Sequence, residues 1–406
     1  MMPKIAEELD VPFIKNGSLT ISFSDEEDAA LEELLERSKE NNVNAYIVSH
    51  EELLKMEPNI NKEAHKALYC PDAGIISPFN LCVNMMENAM DNGIKLALNT
   101  EVLDIKKLDG KYQIITNNDT YTAKVVVNAA GLNSSKIASI LEDVSYHVIP
   151  RRGEYYILDH FDPHFVNHVL FMCPTKVGKG VLVSPTTSNN YIVGPTNEDT
   201  SPFDTSTEAS ILNDLKTSAA KLIPNIPYQY NIRQFSGVRA NSSTGDFVIE
   251  ESKNNPGFYN LACIMSPGLA SSPAIGLEVA NMIKDKLHLV INPNYNPKIR
   301  PHYRFTKMNK DDYNKLIKQD PTYGHFICRC EQVTEGEIID AINRNCGART
   351  IKGVKKRVRP GFGRCQGTFC ESEVMKVLAK ELGVSIEELN YSDMGTQIMK
   401  YNVKVR

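Results

Sequence analysis

Five of the nine cysteines stand in one C-terminal window: Cys328, Cys330, Cys346, Cys365 and Cys370. Cys328-Arg329-Cys330 is a tight pair, and Cys365 and Cys370 make a second, looser one. Thiolates are soft anionic ligands, so two such pairs suit a tetrahedral metal or a two-iron cluster, each pair chelating from one loop. Zinc pairs usually run C-x2-4-C. The first pair here is tighter than that and the second sits at its upper edge, so spacing alone leaves the metal open. Four unrelated buried thiols are the plain alternative, and so dense a set in a short segment argues against it.

The same segment is basic. Lys352, Lys355, Lys356, Arg357, Arg359 and Arg364 would serve a nucleic-acid patch, but a basic run is more often a solvated face. Beside a cluster with four thiolates, cations also stabilise the anion and tune its potential. Other chemistry is thin. His160, His164 and His168 are spaced to align on a helix, yet Pro163 falls inside the run and predicts a polar loop instead. No G-x-S-x-G, H-E-x-x-H or phosphate-binding loop is present. The two G-x-G sites, Gly178-Lys179-Gly180 and Gly361-Phe362-Gly363, have Val183 and Gln366 where a dinucleotide fingerprint needs its third glycine.

The elements that position these groups form two unequal parts. At roughly 150 residues per domain, 406 residues predict two or three domains. A 42% hydrophobic and 23% charged composition excludes disorder and fibre. The net charge is -5, which argues against nucleic-acid binding by the whole chain. From His325 onward, however, 14 basic residues face 10 acidic ones, a small module at +4. No apolar run is long enough for a transmembrane segment, and the N-terminus has no basic-then-apolar signal pattern. The expectation is a cytoplasmic protein whose thiols stay reduced.

Along the body, residues 17–23 alternate as a half-buried strand. Ser24 and Glu27 box the start of a helix carrying Leu31, Leu34 and Leu35 on one face. Ser77-Pro78 starts another, continued by Leu81, Met85 and Ala89 and stopped at Gly93. Residues 96–108 and 111–116 predict a hairpin turning at Asp109-Gly110. Residues 124–128 predict a buried strand feeding Ala129-Ala130-Gly131. Residues 146–250 read as an antiparallel sheet, and a helix is expected from Pro273. In the C-terminal module, Thr334 and Glu337 form a capping box, and a last helix over residues 371–382 stops at Gly383. Residues 292–323 read as a connector.

Residues 325–383 resemble the bacterioferritin-associated ferredoxin type of [2Fe-2S] domain. The match lies in Cys328-Arg329-Cys330-Glu331, Val333-Thr334-Glu335-Gly336-Glu337, Gly353-Val354-Lys355-Lys356-Arg357, and Gly363-Arg364-Cys365-Gln366-Gly367 with Phe369-Cys370. The resemblance implies that Cys328, Cys330, Cys365 and Cys370 ligate the cluster, leaving Cys346 a buried thiol. The body resembles FAD-dependent oxidoreductases of the D-amino-acid oxidase and glycerol-3-phosphate dehydrogenase superfamily. The segments that carry this are Thr100-Glu101-Val102, residues 125–131, Arg152-Gly153-Glu154-Tyr155, Gly237-Val238-Arg239 with Gly245-Asp246-Phe247, and residues 266–274.

By that resemblance, Val102, Ala130 and Gly131 meet the ADP part of FAD, and Gly268, Leu269, Ala270 and Ser271 lie beside the flavin ring. Small residues at a helix start agree with a flat ligand and with negative charge on a reduced ring. Arg239 is the implied substrate arginine, since guanidinium suits a carboxylate or phosphate. The family opens with a glycine-rich strand-turn-helix unit, and Met1 to Phe13 match a point well inside a full-length member. The expectation is therefore an N-terminally truncated member holding FAD weakly or not at all.

The fold expected is α/β, with a Rossmann-like FAD-binding part incomplete at its N-terminus. An antiparallel β substrate domain and a small helical [2Fe-2S] domain complete it. Residues 1–67 and 146–255 would form the substrate domain and residues 68–145 and 256–290 the residual FAD-binding part. Residues 291–324 would be connector, 325–385 the cluster domain and 386–406 a tail. The implied function is oxidation of a small anionic alcohol, glycerol 3-phosphate ahead of a 2-hydroxy acid. Electrons would pass through the cluster to an acceptor or partner subunit, with peripheral membrane contact open. A non-catalytic cluster-binding remnant and a zinc-stapled interaction protein are the alternatives.

Overall fold

The structure is a computed structural model that describes residues 1–174 and 180–399. Gly178 and Lys179 of the first G-x-G site, and the end of the tail, lie outside the described residues.

The alternation of residues 148–158 sets the main sheet. In the Val148–Leu158 strand, Glu154, Tyr156 and Leu158 turn inward and are buried, while Tyr155 and Ile157 stand half-buried on the other face. This strand pairs along its length with Asn231–Ser242 and on its opposite side with Tyr191–Gly194 and Glu198–Asp199. The sheet runs on through Leu182–Pro185, Val169–Met172, Ser18–Ile21, Ala67–Cys70 and Tyr46–Val48, nine strands in all. Only the pairing of Val169–Met172 with Ser18–Ile21 is parallel. Its inward face is closed by the Ala209–Leu222 helix, which buries Leu212, Leu215, Ala219 and Leu222. Each of the three leucines contributes roughly 2 kcal/mol of transfer free energy. Residues 146–250 are thus not sheet throughout, since this helix interrupts them with an apolar stripe framed by turn residues on both sides.

A second, smaller sheet has the order Val248–Glu251, Phe258–Ala262, Val126–Asn128, the last pair parallel. Val126–Asn128 was expected to be buried, but Val127 is 42% exposed because no described strand covers its outer edge. The Asp109-Gly110 hairpin forms as expected, with both turn residues at positive φ. Its first strand is Val102–Leu108, however, and Leu98 before it is solvent-exposed coil with no partner strand. The Ser24 and Ser77 caps are in place. The closing helix spans Gly268–Leu287, starting one turn and more before the expected Pro273. Pro273 in the second turn leaves the Leu269 carbonyl without its helical N–H, and the Ser272 hydroxyl donates to that carbonyl instead at 2.9 Å.

Residues 326–399 form three helices, Glu335–Asn343, Ile351–Val358 and Glu371–Leu382, around one apolar core. The Thr334–Glu337 capping box and the Gly383 stop are observed. The connector is more than a linker. Ile299 packs with Ala6, Leu9 and Leu81, Arg304 pairs with Asp10 at 3.0 Å, and Lys310–Gln319 is helical.

Candidate functional site

The Ile351–Val358 helix packs on the Pro78–Asp91 helix, so the cysteine module is docked on the body. The Asn80 side-chain amide donates to the Arg357 carbonyl at 3.1 Å, and Phe79 stacks on Phe362 with centroids 6.0 Å apart. Arg344 and Glu87 form an ion pair whose side chains are 2% and 4% exposed. The Arg344 Nε donates to both carboxylate oxygens, at 2.8 and 2.9 Å. This contact had no signal in the sequence, since 257 residues separate the partners.

The four expected cysteines converge, in a pairing that differs from the expected one. Cys330 Sγ lies 4.0 Å from Cys365 Sγ, and Cys328 sits close enough to Cys370 for each thiol to shift the other's proton. Each pair thus takes one thiol from each loop, whereas the spacing had suggested one pair per loop. Two thiolates on one tetrahedral metal, with bonds of about 2.3 Å, stand about 3.8 Å apart. The 4.0 Å separation fits that. A single zinc would need all four sulfurs mutually that close, but no three of them lie within 4.8 Å of one another. Two separated pairs suit a dinuclear centre, and the donor set fits a [2Fe-2S] cluster.

The loops approach closely because Gly363 has no side chain; a Cβ there would sit 2.5 Å from that of Cys330. The Cys370 thiol, with backbone N–H groups of Gly361 and Glu331, pulls Cys328 down to about 6 against its burial. Its partner Cys370 is pushed up by the same contact. Such a pair gives up its shared proton when a metal binds. Cys330 is exposed, and Phe369, next to Cys370 in the chain, is 82% exposed, so the centre is open to solvent at Cys330. Cys346 is half-buried rather than buried, and Arg357 donates to its carbonyl.

On the open face of the large sheet, Gly153 pairs with Gly237 and Arg151 with Arg239. Diagonally across that register, the Arg239 guanidinium lies over Gly153, where a Cβ would be 2.1 Å from its nitrogen. Two of its five N–H groups are used, on the Asn197 amide oxygen at 3.1 Å and the Thr196 carbonyl at 2.9 Å. The others have no partner among the described residues. Above Gly237 the space is empty. A held guanidinium beside a bare stretch of backbone is a seat for a small anion. Arg152 does a different job: it is buried and bound to Glu154, Asp204 and Glu208. Of the three histidines, His168 pairs with buried Glu57 at 2.7 Å and His160 reaches the Ser188 carbonyl; no helix aligns them.

Val102 and Ala130 come together in a cleft of about 300 Å3, with Thr100, Glu101 and Lys136, at the C-terminal end of Val126–Asn128. Gly131 opens the following turn at φ 57° and does not line the cleft. Gly268, Leu269, Ala270 and Ser271 form the first turn of the Gly268–Leu287 helix, after the C-terminal end of the neighbouring parallel strand. Both groups therefore sit at the carboxyl edge of the parallel pair, where α/β sheets bind nucleotides. The fit to FAD is partial. A cleft and a small-residue helix start are present, but among the described residues no glycine-rich turn stands between them to hold a diphosphate.

Comparison with known proteins agrees with this geometry. Residues 2–282 match the model of the family "FAD dependent oxidoreductase", and residues 326–380 that of the "BFD-like [2Fe-2S] binding domain". The chain is 43% identical over 404 residues to a glycerol 3-phosphate dehydrogenase of Caloramator mitchellensis, covering 98% of this chain and 84% of that one. It is 32% identical to the glycerol 3-phosphate oxidase of Mycoplasma pneumoniae, over 72% and 78% of the two chains. The structure of dithionite-reduced L-alpha-glycerophosphate oxidase from Mycoplasma pneumoniae with FAD bound superposes with a TM-score of 0.66 at 29% identity, covering 72% and 79%. No helix among the described residues is long and apolar enough to cross a membrane.

Proposed function

The chain belongs to the FAD-dependent oxidoreductase family and carries a BFD-like [2Fe-2S] domain; from that premise we propose that it oxidises glycerol 3-phosphate and relays the electrons through the cluster. The observation that carries the substrate class is the Arg239 guanidinium, held from behind by Thr196 and Asn197 over the bare Gly153–Gly237 backbone. Its remaining N–H groups suit a phosphate, and the space over Gly237 suits a short polyol. FAD supplies two-electron oxidation of the substrate carbon, and the cluster supplies one-electron relay.

The chain's own groups do the positioning. Cys328, Cys330, Cys365 and Cys370 hold the cluster. Val102, Ala130 and Gly131 shape the adenosine side of the FAD site, and Gly268, Leu269, Ala270 and Ser271 border the ring side. The exposed edge at Cys330 and Phe369 is where a protein acceptor or partner subunit would approach, with Arg329 and Arg364 exposed beside it. The reading places the protein in the cytoplasm, where its thiols remain reduced. Because no diphosphate-holding turn is present among the described residues, the reading is that this chain by itself holds FAD weakly.

Anaerobic purification tests this. The expected preparation has two irons and two sulfides per chain, sub-stoichiometric FAD, and dye reduction by glycerol 3-phosphate only after FAD is added. Colourless, zinc-loaded protein would discard the cluster. Stoichiometric FAD would discard weak binding. Turnover of a 2-hydroxy acid in preference to glycerol 3-phosphate would discard the substrate.

A further inference from the structure

The open face of the large sheet and the [2Fe-2S] domain enclose a cavity of about 920 Å3. Arg233 lines it from the sheet, Lys352, Lys355, Lys356 and Arg359 line it from the domain, and among the described residues no Asp or Glu lines it. Arg359 is paired with Glu331 at 2.7 Å. Among the described residues the other four have no carboxylate partner. Lys355 is the telling one. It is 6% exposed, and its ammonium rests 4.9 Å above the Phe362 ring with no hydrogen-bond acceptor among the described residues. Burial, and then the nearby Arg233, pull its amine below the ordinary lysine range, and the charges of Glu371 and Cys370 offset this only in part. Lysines are almost never this buried unless paired, because an unpaired buried charge is costly.

The chemistry of the walls narrows what would pair it. Several unspent cations and the hydroxyls of Ser184, Ser188 and Thr207 call for a multiply charged anion with several acceptor oxygens. The volume lies in the range of small-molecule sites, and Ile157, Ile192 and Phe235 add apolar wall that an inorganic ion would not use. Arg239 does not line this cavity. We propose that the chamber binds a small organic phosphate through Lys355 and Arg233, at a site separate from the Arg239 seat. Because Arg233 belongs to the sheet and Lys355 to the [2Fe-2S] domain, the bound phosphate clamps the two together.

The test uses the full chain, cluster-loaded and without added FAD. Binding of glycerol 3-phosphate and of inorganic phosphate is measured by calorimetry and by the rise in melting temperature, with sodium chloride at equal ionic strength as control. The expected result is binding in the wild type and in R239Q, and, in the R239Q background where the substrate seat is gone, weakening about tenfold or more by K355M or R233Q, the weight of one charge-assisted contact. K355M in the R239Q background should show no phosphate-induced rise in melting temperature. The proposal is overturned if phosphate stabilises no more than chloride does, or if R239Q abolishes binding while K355M and R233Q keep it. Persistence of binding in protein that turns over no substrate would separate this site from the proposed activity.

Discussion

Replacing Glu87 by leucine removes the carboxylate that faces Arg344 across the contact between the body and the [2Fe-2S] domain. Both side chains are nearly inaccessible, and the guanidinium makes contacts of 2.7, 2.8 and 2.9 Å with that one carboxylate. Truncating one partner of a buried pair typically costs 3–5 kcal/mol, because the other charge stays buried and unpaired. Here Asp340 remains on Arg344 at 3.0 Å, so the low end applies, about 3 kcal/mol. E87L should therefore unfold at lower urea, with the cluster absorbance lost before the far-ultraviolet circular dichroism of the body. Removing both charges in E87L/R344M leaves two apolar side chains in contact, and at least half of the loss should return. With R344M costing about as much as E87L, the cycle should give a coupling of about 4 kcal/mol, in the range measured for close, buried charge pairs. A single-variant cost below about 0.5 kcal/mol, the size of an ordinary surface change, would refute the reasoning. So would a double variant equal to the sum of the singles.

Other perturbations probe other parts. Gly153→Ala puts a methyl group where the Arg239 guanidinium lies; KM for glycerol 3-phosphate should rise about tenfold or more, while the melting temperature changes little. An unchanged KM would remove Arg239 from the substrate. C330S should lose the [2Fe-2S] visible spectrum and iron, whereas C346S should keep both, and equal loss in the two would overturn the ligand assignment. Burial, followed by Arg304 and Arg344, holds His302 near 3 instead of 6.5. Its folded pKa is the lower one, so the unfolded chain takes the proton first. The associated stability is present above pH 6.5 and is lost as pH falls toward 3, by at most about 1.4 kcal/mol per unit. Urea midpoints measured between pH 7 and 4.5 should fall in the wild type and fall less steeply in H302Q; parallel slopes would exclude His302 as the cause.

Much of the fold and of the cluster site was readable before any coordinates. The caps at Ser24, Ser77 and Thr334, the Asp109-Gly110 turn and the Gly383 stop are local events, each decided by a side chain and a backbone group within a few residues. Four cysteines in two close sets likewise announce a metal or cluster, because thiolate chemistry travels with the residue. The start of the Gly268–Leu287 helix and the exposure of Val127 were not readable, since tertiary surroundings outvoted a proline in one case and left an edge unpaired in the other.

What the amino-acid order determined on its own was the inventory: ligands, caps, a guanidinium, a basic helix. Only tertiary structure decided that Cys328 faces Cys370 and not its neighbour Cys330, that Arg239 lies over Gly153, and that Arg233 and Lys355 share one chamber. The reason is distance along the chain. A contact between residues three or four apart is written in the local backbone, but one between residues about forty to more than a hundred apart exists only once loop packing, sheet register and domain docking choose which faces meet.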